Sequence, residues 1–92
     1  DRDTVWELTW QGVGTLSADQ WYRVTIFYLA GGQTQVMDAT VKETSWRVPA
    51  TLYGLADAPD HRYLWQVTVV RGEGSNATPL SPPSRTRVFR WP

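Results

Sequence analysis

Tyr63-Leu64-Trp65-Gln66-Val67-Thr68-Val69-Val70 is the stretch whose reading decides the fold class. Tyr63, Trp65, Val67 and Val69 recur at every second position and make one apolar face, opposite Leu64, Gln66, Thr68 and Val70. A period of two is that of a β-strand, whose successive side chains leave the pleat on opposite sides. A helix would need a period near 3.6, which this stretch lacks.

The same alternation recurs outward from here. Tyr22, Val24, Ile26 and Tyr28 oppose Trp21, Arg23, Thr25 and Phe27; Trp6, Leu8 and Trp10 oppose Val5, Glu7 and Thr9. Ala30-Gly31-Gly32 reads as a turn into a short polar stretch over 33–40, the pattern of an edge strand. Thr44, Trp46 and Val48 alternate with Ser45 and Arg47 until Pro49, which lacks the N–H a ladder needs. Gly72, Gly74, Ser75 and Asn76 mark a loop tip. Pro79-Leu80-Ser81-Pro82-Pro83-Ser84 is extended or polyproline-like before a last strand over 85–91. With no capped helical segment and no internal repeat, the reading is an all-β fold of six strands.

Composition bounds what such a chain does. Ninety-two residues allow a single domain, 1–92, whose folding buries roughly 60 to 68% of its extended surface. Six Trp, four Tyr and two Phe supply packing bulk in a chain with no Cys, so neither a disulfide framework nor a thiolate zinc site is available. No apolar run approaches the roughly 20 residues that cross a bilayer, so no membrane insertion of this segment is expected. Net charge is zero, but residues 1–60 hold four basic and eight acidic side chains, and 61–92 hold five and one. In a compact β fold the two halves interleave, and such a dipole becomes cross-strand pairing rather than a nucleic-acid surface.

Three segments in order resemble a fibronectin type III domain, which has an immunoglobulin-like two-sheet sandwich. Leu8-Thr9-Trp10 resembles that family's second-strand tryptophan motif, Tyr22-Arg23-Val24-Thr25-Ile26 its third-strand Tyr-x-Val pattern, and 63–69 its sixth-strand run. Ser81-Pro82-Pro83-Ser84 is similar to the stretch that leads into the family's final strand. The resemblance implies a sandwich of six or seven strands, its first strand either trimmed or absent, since 6–10 already matches the second. It also implies that the Tyr63 hydroxyl reaches back to upstream backbone as a tyrosine corner. Leu55 lies eight residues before Tyr63 where the family usually has six, a two-residue insertion. The expected core is Trp10, Tyr22, Val24, Trp46, Tyr63, Trp65 and Val67.

Catalytic and metal chemistry find little support. His61 is the only histidine, and Asp57-Ala58-Pro59-Asp60-His61-Arg62 reads as turn chemistry rather than a general-base pair or a metal set. Gly12-Val13-Gly14 and Gly72-Glu73-Gly74 lack the following helix that a phosphate cradle requires. Asn76-Ala77-Thr78 satisfies a glycosylation sequon, a pattern common by chance. No catalytic residue, metal or cofactor is expected.

Alternation instead turns Trp21 and Phe27 away from the core, about 20 Å apart along one strand. With Tyr53 they are the candidate ligand contacts, on a protein or a polysaccharide. The bland alternative is an arginine stacked over Trp21, because eight of nine basic residues are Arg. The resulting expectation is a non-catalytic module of an extracellular or cell-surface protein, bacterial by its Arg-over-Lys bias. It would space neighbouring domains of its parent chain or dock a protein, with a carbohydrate-binding module as the rival. An absent first strand would also leave the edge of 6–10 open to β-augmentation or dimerisation.

Overall fold

The computed structural model describes residues 6–72 and 77–91; Val5 and the Gly74-Ser75-Asn76 tip with its sequon lie outside the described residues. The described chain forms seven strands and no α-helix: β1 (Glu7–Thr9), β2 (Gln20–Ala30), β3 (Gln33–Val41), β4 (Ser45–Arg47), β5 (Arg62–Arg71), β6 (Thr78–Pro79) and β7 (Arg87–Arg90). A 3₁₀ turn over Ala50–Leu52 follows β4. The fold is all-β in two sheets: β1 pairs with β4, and a five-stranded sheet runs β3-β2-β5, with β6 and β7 both on the far edge of β5.

The longest elements are those with the cleanest alternation. β2 and β5 pair antiparallel over nine registered positions, from Gln20 opposite Arg71 to Tyr28 opposite Tyr63. Their inward residues Tyr22, Val24, Ile26, Tyr63, Trp65 and Val67 are buried. Ala30 and Gln33 close a two-residue hairpin whose Gly31 and Gly32 sit at φ 61° and 78°. That left-handed backbone suits glycine and matches the twist of the flanking strands.

The last expected strand, over 85–91, is found as β7, and a seventh strand of two residues, β6, precedes it; prolines explain the gap between them. Pro82 and Pro83 have no N–H to donate to β5, so the ladder between β6 and β7 is kept by other groups. Ser81 Oγ accepts from the Val69 amide at 3.1 Å and Ser84 Oγ from the Val67 amide at 2.9 Å. Leu80 and Ser84 amides return bonds to the Val69 and Val67 carbonyls, each at 2.8 Å. The buried edge of β5 is thereby satisfied without a continuous strand.

Rings from both sheets share one core. Trp10, just after β1, lies 6.4 Å from Trp65 and 5.7 Å from Tyr22; Trp6, just before β1, lies 4.9 Å from Phe89. Tyr63 stacks on Phe89 at 5.1 Å. Trp10 and Trp46 pack on this cluster only half-buried, because a two-stranded sheet covers part of a five-stranded one and leaves its rings at the margin. Leu52, Phe89 and Trp91 are buried core members that alternation alone did not single out.

The Tyr63 hydroxyl bridges the connection before its own strand. It donates to the Leu52 carbonyl and accepts from the Ala56 amide at 3.1 Å, both buried contacts. One side chain therefore ties the 3₁₀ turn and the following loop to the start of β5.

Candidate functional site

The register places every outward residue of the larger sheet in a row with its cross-strand neighbours, since directly paired residues share a face. Trp21, Val70 and Pro79 form one row; Thr40, Arg23 and Thr68 the next; Asp38, Thr25 and Gln66 the third. Val36, Phe27, Leu64 and Val88 form the fourth, across β3, β2, β5 and β7. Thr34 and Leu29 begin a fifth, beside the directly opposed Arg62 and Arg90.

The Trp21 row is closed. Lys42 Nζ sits 4.2 Å from the Trp21 ring centroid and donates to the carbonyls of Ser17 at 3.0 Å, Ala18 at 2.9 Å and Gln20. The cation over Trp21 is thus a lysine rather than the expected arginine, because Lys42 follows β3 directly and meets the turn that opens β2. Val70, between Trp21 and Pro79, is 0% exposed, and Thr68 is buried too. The outward face of β5 is therefore not solvated at this end, against the simple reading of its alternation.

The Phe27 row is open. Val36 and Val88 are 57% and 54% exposed, Leu29 is 50% exposed, and Phe27 and Leu64 are half-buried between them. A hydrogen-bonded band separates the two regions, with Thr25 Oγ1 donating to Asp38 Oδ1 at 2.8 Å and Thr86 Oγ1 to Gln66 Oε1 at 3.5 Å.

Beside the open row lies a hollow of about 330 Å³ whose walls include Phe27, Leu29, Leu64, Asp57, Asp60 and Arg62. Asp57 accepts from the amides of Gly32 and Gly31, both at 2.8 Å, and these bonds hold its carboxyl below the usual carboxylate range. Its amide in turn donates to the Leu29 carbonyl at 2.8 Å. Asp57 thus pins the β2–β3 turn to the loop that enters β5, a role its distance in sequence concealed. The His61 amide donates to the Asp57 carbonyl, and His61 Nδ1 is buried without a hydrogen-bond partner among the described residues.

Tyr53 does not join Trp21 and Phe27. Its ring meets the buried Trp91 edge-on at 5.3 Å and packs against the core. A second hollow, of about 410 Å³, opens beside Trp10, Trp65, Val67 and Val69. Its wall carries Arg87, whose guanidinium stands 5.4 Å from the Trp65 ring.

Among the described residues no three His, Cys, Asp or Glu side chains gather as a metal set, and no helix is long and apolar enough to cross a membrane. What the outer face offers a ligand is apolar contact, two opposed guanidinium groups and a carboxylate at Asp60. No family model matches the chain, and no curated protein or solved structure matches it.

Proposed function

We propose that this chain is a non-catalytic accessory module of fibronectin type III kind, belonging to an extracellular or cell-surface protein, that docks a protein partner through the outer face of its larger sheet. The observation that carries the reading is the open row of Val36, Phe27, Leu64 and Val88, widened by Leu29. A contiguous exposed apolar strip, set off by the hydrogen-bonded band from the closed Trp21 row, fits a protein surface better than solvent. Arg62 and Arg90, opposed on adjacent strands, would repel each other unless carboxylates of the partner lie between them.

The family assignment draws support from the order of the strands and from Tyr63, which opens β5 and bonds back to Leu52 and Ala56. The carbohydrate reading loses support because its three rings do not form one platform: Trp21 is capped by Lys42 and Tyr53 packs on Trp91.

The test is cross-linking capture from the native source with wild type, Val88→Lys and Val13→Lys. Val13 is an exposed apolar residue away from the row, so it controls for general stickiness. A protein retained by wild type and Val13→Lys and lost from Val88→Lys supports docking. Equal capture by all three, or tryptophan quenching by polysaccharides with no protein captured, removes it.

A further inference from the structure

The free edge of β3 is the longest unpaired backbone edge among the described residues, and its residues complement themselves. In the Gly31-Gly32 hairpin the closing pair Ala30–Gln33 exchanges both backbone bonds. Counting on by twos, Gln35, Met37, Ala39 and Val41 also bond toward β2. Thr34, Val36, Asp38 and Thr40 therefore direct their N–H and C=O groups away from the sheet. No strand pairs with β3 on that outer side among the described residues.

Such edges are normally blunted by proline, lysine or a covering element. Over Gln33–Val41 there is no proline and no lysine, and the one charge is Asp38. By contrast β1, the edge singled out from the sequence, spans three residues and offers far fewer bonds.

We infer that β3 pairs antiparallel with β3 of a second copy of this chain, about a two-fold axis along the sheet normal, with Val36 opposite Val36. Only Thr34, Val36, Asp38 and Thr40 carry free groups, so allowed registers differ by steps of two residues. Setting Val36 against Val36 brings Thr34 opposite Asp38 of the second copy, twice by symmetry. It also joins the two apolar rows end to end across the dimer. Two steps to one side oppose Asp38 to Asp38, two like charges at contact. The step on the other side of the chosen register, with the axis nearer Thr34, buries Val36 against Thr34 and leaves Asp38 unmatched by a hydroxyl. Pairing through Met37 as the centre sets Val36 against Asp38 and breaks the row. The chosen register alone gives Thr34, Val36 and Asp38 each a compatible neighbour, as a C₂ interface requires.

The inference goes beyond the docking reading and does not depend on it, because it is read on the chain alone. Sedimentation equilibrium from micromolar to millimolar concentration is the measurement. The mass is expected to rise from 10.5 kDa towards twice that value. Val36→Lys, at an exposed position that leaves the core untouched, is expected to weaken association at least about tenfold by opposing two ammonium groups. Thr34→Lys is expected to tighten it, since only in this register does residue 34 face Asp38 of the second copy. A mass that stays at 10.5 kDa to millimolar concentration overturns the inference, as does a dimer indifferent to Val36→Lys or weakened by Thr34→Lys.

Discussion

Val70 and Val88 are the same residue type on the same face of the same sheet, yet one is 0% exposed and the other 54%. Their neighbours make the difference. Val70 lies between Trp21 on β2 and Pro79 on β6, and Lys42 closes over Trp21. Val88 lies on the edge strand β7 with Leu64 as its paired neighbour, and Val36 occupies the matching edge position on β3 beside Phe27. Alternation assigns a side chain to a face, but the width of the sheet and the size of the cross-strand neighbours decide whether that face is wet.

The sharpest way to break the contrast is Val70→Ala. Removing two methyl-sized groups from a fully buried site is expected to cost about 2 kcal/mol, read by urea unfolding. A cost near zero would mean that the Trp21 end is as open as the Val88 end. Next in size, Lys42→Ala removes the cation over Trp21 and is expected to cost about 0.5 to 1 kcal/mol. It should also increase quenching of Trp21 by acrylamide, and unchanged quenching would count against the capping role.

Val88→Ala is expected to shift stability by no more than about 0.5 kcal/mol, because an exposed edge residue has little to lose. A loss as large as that of Val70→Ala would erase the distinction between the two regions. The smallest effect concerns Asp57 beside the open row. Its folded carboxyl is depressed below the ordinary 3.8, so the stability it contributes is present above that pH and lost as pH falls through the lower folded value. In an NMR titration the Gly31 and Gly32 amide shifts should move together with a common midpoint below 3.8. A midpoint at or above 3.8 would contradict the two amide bonds as its cause.

Much of this was legible in the residues. Period two in 63–70 and 21–28 located β5 and β2 and sorted their faces, because each strand buries one side and the pattern is local. Gly31-Gly32 marked the hairpin because the turn needs positive φ there. Trp21 and Phe27 were legible as outward rings, but not as one closed and one open. That depended on Lys42, which is 21 and 15 positions away from them. Tyr53 misled for a related reason, since a ring in a loop has no alternation to read and its partner, Trp91, comes from the far end of the chain.

The sequence by itself determined the all-β class, the position of most strands and the face each side chain takes, since all three follow from steric alternation within a few residues. Only the tertiary structure decided that the smaller sheet has two strands among the described residues and that Ser81 and Ser84 replace missing ladder donors and acceptors. It alone placed Asp57 on the β2–β3 turn and left Val36 and Val88 open while Val70 is sealed. Those outcomes depend on which distant segments meet, and contacts between segments tens of residues apart leave no periodic trace in the chain.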